Sequence, residues 1–193
     1  PRVSENVKQK AEVFLGKLRS TLALFQIAGN PLLLNMSIIV HEYRGALPGS
    51  RGKLYDEICQ VLLEMRQKAK GLRLEISADK SQLVLQPLAF AMMQRDTREL
   101  TSAEAQAAIE KPLKSVNRQM TPQSFLKWIE SSGIWVKRST DAYGFIHLSY
   151  QEYFAAMHVK EKRLEQFLTN YIELTWWHET IILYCNRADA VSY

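Results

Sequence analysis

His147 stands in the stretch "GFIHLSYQEYFAAMH" (residues 144–158), where an apolar strand-like run gives way to a helix start. Imidazole is the side chain whose ordinary pKa lies closest to neutrality, so it can carry or release a proton there. A helix start leaves backbone N–H groups without partners and bears partial positive charge, and both features attract anions. An imidazole just outside such a start can donate to the same anion, in a charge-assisted bond of about 1.5–3 kcal/mol when protonated. The helix terminus disfavours imidazolium in the absence of the anion, so proton and anion would favour one another. Position alone leaves a second reading open, that of a strand histidine with a satisfied N–H and no ligand.

The stretch "GNPLLL" (29–34) is a second candidate. Asn30 suits an N-cap, and Pro31 suits the first helical position, where its missing N–H costs nothing. A proline ring also offers a flat apolar face to an aromatic base. Other chemistry finds little support. His41, His147, His158 and His178 lack partners at zinc-site spacing. Cys59 and Cys185 form no CxxC, which fits a reducing compartment, so a cytoplasmic setting is expected. Glu57, Glu64 and Glu152 read as solvated or capping residues, and Ser149 lacks the G-x-S-x-G context of a nucleophile. With no GxxxxGK[ST] either, this chain is not expected to be an enzyme by itself.

The elements that must position these residues are mostly helices. Residues 5–28 repeat Val7, Ala11, Phe14, Leu15, Leu18, Leu22 and Phe25 at helical spacing. The helix from Pro31, "LLLNMSIIV", is apolar on nearly every side and is expected to be central. A turn-rich 44–52 precedes "KLYDEICQVLLEMRQKA", with Leu54, Ile58, Val61, Leu62 and Met65 on one face. The pattern lapses over 71–82. Then follow a helix from Leu83 to Met93, one opened by the capping box Thr101–Glu104, and one opened by Thr121-Pro122 and closed by Gly133. In the last, Phe125, Trp128 and Ile129 are expected to face inward. "IWVKRS" and "YGFIHLS" alternate around "TDA", a hairpin signal. Ser149 to Glu152 reads as another capping box, with Tyr150, Tyr153, Phe154 and Met157 as the buried stripe of its helix. Helical stretches at 160–174 and 176–186 complete the chain, with Trp176 and Trp177 expected in the core. The fold class is therefore mainly α: a small helical domain (1–70), a winged-helix domain of three helices plus a β-hairpin (71–159), and the start of a second helical domain (160–193).

The bulk properties agree with this. A chain of 193 residues with 47% hydrophobic residues can bury a core, and its +5 charge is modest but uneven. Residues 1–70 carry +5, 71–140 carry +3 and 141–193 carry −3. Ser20–Val40 lacks charge, yet Gly29-Asn30-Pro31 breaks it near its middle, so no membrane span is expected. The chain starts at Pro1 without a signal-peptide pattern and reads as part of a longer protein.

"GNPLLLNMSIIV", "GSRGKLYDEICQVLL", "FIHLSYQEYFAAMHV" and "WWHETIILYC", in this order, resemble the back half of a NACHT-family STAND NTPase, the group that includes NOD-like receptors. The likeness runs from about residue 5 to the end, is strongest at 29–43 and 143–159 and is weak at 71–120. It implies an upstream P-loop module in cis that holds ATP or ADP with its Mg²⁺, so nucleotide is not expected on this chain alone. It implies that Gly29, Asn30 and Pro31 pack on the adenine and that His147 touches a phosphate of bound ADP. It further implies a signalling role, akin to innate defence, with a nucleotide-gated change from a closed form to an assembled homo-oligomer. The alternative is a winged-helix nucleic-acid-binding regulator, suggested by the net charge and by Lys137-Arg138 on the wing. Against nucleic acid, the presumed recognition helix 122–132 offers only Lys127, beside Glu130.

Overall fold

The computed structural model describes residues 2–20, 25, 29–65, 71 and 76–188. Two compact units divide the chain, Pro1–Val61 and Leu62–Tyr193. The expected domain boundary at 70/71 falls among residues 66–70 and 72–75, which lie outside the described residues, as does Leu22 of the first apolar series.

The first unit holds α1 (Arg2–Ser20), α2 (Pro31–Arg44) and α3 (Arg51–Gln60), the last running on into a single π turn over Val61–Met65. Asn30 caps α2 as its sequence suggests: its Oδ1 accepts from the Leu32 and Leu33 amides at 2.9 and 3.3 Å, and Pro31 takes the first helical position. Gly45 closes α2 in the left-handed region, where a side chain would be strained. Two expectations are corrected here. Of the α1 stripe, Phe14 and Leu18 are buried, whereas Val7, Ala11 and Leu15 are exposed, as is Phe25 beyond the helix. Likewise α2 is one-faced rather than central: Leu33, Met36 and Val40 are buried while Pro31, Asn35 and Ile38 face solvent.

The second unit is a winged helix followed by further helices. Its core helices are α4 (Ala78–Gln94), α5 (Ser102–Val116) and α6 (Pro122–Ser132). The α4 helix starts five residues before the expected Leu83, because Ser77 caps it through the Lys80 amide. The Thr101 capping box is complete, with Thr101 Oγ1 accepting from the Glu104 amide and Glu104 Oε2 accepting from the Thr101 amide. Thr121 and Pro122 open α6, and Gly133 closes it at φ +84°. Phe125 and Ile129 of α6 are fully buried, while Trp128 is half-buried.

Strands β1 (Trp135–Ser139) and β2 (Ala142–Phe145) form the antiparallel wing, pairing Trp135 with Phe145 and Val136 with Gly144. The alternation is legible only that far, since Ile146 and His147 lie beyond the strand. Leu100 adds a third partner, exchanging both backbone hydrogen bonds with Tyr143 at 2.9 Å. Helix α7 (Leu148–Lys162) packs on α4 and β2. It is buried on every side from Ser149 to Met157, not along a single stripe, so α7 rather than α2 is the helix sealed on all faces. The expected helix over 160–174 is replaced by the end of α7, a left-handed Arg163 and a short α8 (Glu165–Thr169). Helix α9 (Thr175–Ala188) packs against α7, with Trp177 buried against Phe90, Phe167 and Tyr171. No helix among the described residues is long and apolar enough to cross a membrane.

The Thr101 cap is a local device whose loss can be measured. Thr101→Ala removes an acceptor from the first turn of α5 and is expected to cost about 1 kcal/mol, lowering Tm by about 2–4 °C in thermal denaturation.

Candidate anion-binding site

The start of α7 is set by His147 itself. Its backbone is extended (φ −144°, ψ 148°), and its Nδ1 accepts from the Ser149 amide at 3.1 Å, with Ser149 Oγ also 3.1 Å away. The expected Ser149–Glu152 capping box is therefore corrected: the histidine is the N-cap, and Ser149 is a buried residue of the first turn. A helix needs an acceptor at this place, and the unprotonated ring nitrogen supplies it. A nitrogen that accepts an N–H bond carries no proton, so the neutral ring bears its proton on Nε2. Protonating Nδ1 would break the cap, whereas the neutral Nε2–H is a donor that needs no added proton.

His147 is exposed and lines a cleft of about 330 Å³ together with Arg98, Glu99, Arg138, Ile146 and Gln151. Two guanidiniums face one carboxylate there, so the cleft is net positive. Partial desolvation of the ring, reinforced by the charges of Arg98 and Arg138, pushes the His147 pKa below its ordinary value of 6.5.

Each cationic group is brought in by a different piece of backbone. Arg138 lies near the tip of the wing and curls back along it, its Nη2 donating to the carbonyls of Phe145 and Ile146. Arg98 sits in the turn after α4. That turn is held by Thr97 N–H to Met92 O at 3.1 Å, by Gln151 Nε2 to Thr97 O at 3.0 Å, and by the Leu100–Tyr143 bridge. Gly144 permits the fit, because a Cβ there would collide with the carbonyl of Arg98. The glycine is thus required by close approach of two backbones, not by its own dihedral angles.

Gly29, Asn30 and Pro31 belong to the first unit and His147 to the second. Within its own unit Pro31 is exposed, so its ring presents a free face, and Asn30 is occupied by capping. A Cβ at Gly29 would meet nothing within 4 Å, so that unit by itself imposes no need for glycine. Sequence context does not single out Arg98, Gln151 or Gly144, and it marks Arg138 only as a wing cation. Non-local pairing through Tyr143 brings Arg98 to the cleft, and no spacing rule reports it.

Two outcomes follow. In an NMR pH titration His147 is expected to titrate below 6.5, and a midpoint at or above that value contradicts the described environment. The sign for stability is fixed by the same shift. As pH falls through about 6.5 the unfolded chain gains a proton that the folded one refuses, so stability present above that pH is lost below it. His158, lowered mainly by burial against α4 and further by Lys162, acts in the same direction, so the titration must be read residue by residue. Gly144→Ala is expected to destabilise the fold by about 1–3 kcal/mol in chemical denaturation and to shift the Arg98 amide resonance.

A comparison with curated proteins and one with solved structures each give no significant match. A family model does match, over residues 51–159, and it is described as the winged helix-turn-helix domain C-terminal to NACHT. The match covers more than half of the chain and contains the three core helices, the wing, the histidine cap and α7 as far as Val159. The chain belongs to the family of winged-helix domains that follow NACHT modules.

Proposed function

We propose that this chain is the nucleotide-responsive segment of a NACHT-type signalling ATPase. In this reading the cleft at His147 receives a phosphate of ADP or ATP held by an upstream P-loop module in cis, and Pro31 receives the adenine. The observation that carries it is the His147 cap: Nδ1 is committed to the Ser149 amide, Nε2–H is the ring's remaining donor, and His147 lines a cleft with Arg98 and Arg138.

The donor set fits a phosphate. Two guanidiniums supply charge and in-plane N–H groups, and the imidazole supplies a directed neutral donor. Bound nucleotide supplies the phosphate charge that these groups read. Hydrolysis and Mg²⁺ binding belong to the upstream module, because this sequence carries no P-loop. The chain's own part is to add its contacts to the held nucleotide only when the modules are closed. If Pro31 and the His147 cleft together contribute about 3 kcal/mol in the closed form alone, the closed population shifts about 150-fold. Loss of those contacts would release the modules for homo-oligomer assembly. The nucleic-acid alternative is not favoured, since α6, the helix that would read a groove, offers only Lys127 as a base, beside Glu130.

The test uses the protein joined to its NACHT module. His147→Asn keeps a side-chain cap acceptor but removes the ring, and is expected to lower ADP retention at least tenfold and to raise spontaneous assembly. Unchanged ADP retention with unchanged oligomer size by light scattering would contradict the proposal.

A further inference from the structure

The tandem Trp176-Trp177 at the start of α9 divides its work. Trp177 fills the aromatic cluster of Phe90, Phe167 and Tyr171 and accounts for docking of the helix. Trp176 is half-buried and points its contacts elsewhere. Its Nε1–H donates to the carbonyl of Met93 at 3.0 Å, in the last turn of α4. The guanidinium of Arg98 lies over its ring, 5.6 Å from the centroid. Arg98 is also a wall of the His147 cleft. One side chain therefore touches both the anion cleft and the helix that follows the winged helix.

Resting on the anion-binding reading above, we infer that Trp176 is a positioning residue for the cleft, acting through Arg98. Occupancy of the cleft and docking of α9 therefore reinforce one another. The chemistry of the guanidinium makes the two contacts compatible. A guanidinium carries five N–H groups in its plane, so one held over an aromatic ring keeps donors for an anion. Arg98 is a long, exposed side chain, so an anion that recruits it from solution must immobilise it. A side chain already resting on Trp176 loses that freedom once for both contacts, and each contact then favours the other.

The Met93 carbonyl adds a second hold on the same turn. Trp176 anchors the end of α4 from α9, and Gln151 anchors it from α7 through Met93 Sδ and Thr97 O. The Arg98 turn is thereby gripped by two helices, and α7 also carries the histidine. Anion in the cleft would tighten this arrangement, and the coupling must be equal in both directions. Helix α9 is in this way a sensor of the cleft as well as a neighbour of it.

Tight retention of nucleotide needs the upstream module, but weak occupancy of the cleft by a polyanion does not, so the test titrates pyrophosphate to high concentration into the 193-residue chain at low ionic strength, followed by NMR shifts of the 147–151 amides. Trp176→Leu is expected to weaken binding about two- to fivefold, the span of an exposed cation–π contact. In an Arg98→Gln background the same substitution is expected to have no further effect, since the contact is already absent. Saturating pyrophosphate is expected to slow amide exchange in α9 of the wild type, and not in Arg98→Gln. That arm needs no Trp176 variant to fold. Unchanged affinity in Trp176→Leu, an equal loss in both backgrounds, or no slowing of α9 would overturn the coupling while leaving the anion site standing. Failure of the wild type to bind pyrophosphate at all would overturn the site and the coupling together.

Discussion

A single hydrogen bond, from the amide of Ser149 to Nδ1 of His147, organises the junction between the wing and α7. It ends the extended wing segment, starts the most deeply enclosed helix of the unit and fixes which imidazole nitrogen keeps the proton. Serine or aspartate would cap the helix as well, but neither would leave a second, rigidly placed donor on the same ring. The pKa shift follows from the same arrangement. Partial desolvation and two nearby guanidiniums disfavour imidazolium, so the neutral, Nε2-protonated ring is the form the fold selects.

The cleft is made by three backbone segments meeting around that cap. The wing returns Arg138 along its own edge, the turn after α4 delivers Arg98, and α7 contributes His147 and Gln151. Gly144 is the hinge of this convergence, since the Arg98 carbonyl occupies the space a side chain would need. The cleft is continuous with the core: Phe145 lines it and packs edge-to-face on Trp135 and tilted on Phe154, with ring centroids 5.3 and 5.6 Å apart. Packing therefore supplies the rigidity that the exposed charges lack.

What the sequence discloses is what depends on neighbours a few residues away. Asn30-Pro31, Thr101–Glu104, Thr121-Pro122 and Gly133 all act within one helical turn, and each is found where local chemistry places it. The hairpin is legible for the same reason. The cap of α7 is displaced by two residues because histidine is not a usual cap, and Ser149 offered a more familiar acceptor. The roles of α2 and α7 are exchanged because apolarity measures what a helix could bury, not what surrounds it. Helix α7 encloses Ser149, Gln151 and Glu152, whereas α2 leaves Ile38 in solvent. The position of His147 at a helix mouth was readable, but its cationic neighbours were not, since Arg98 arrives through the non-local Leu100–Tyr143 pairing.

His147 commits Nδ1 to the helix and keeps its proton on Nε2. Long-range ¹⁵N–¹H correlation of the His147 ring at pH 7.5 reads this directly. The account predicts an unprotonated Nδ1 and a protonated Nε2. A ring protonated on Nδ1, or one charged at that pH, would contradict it.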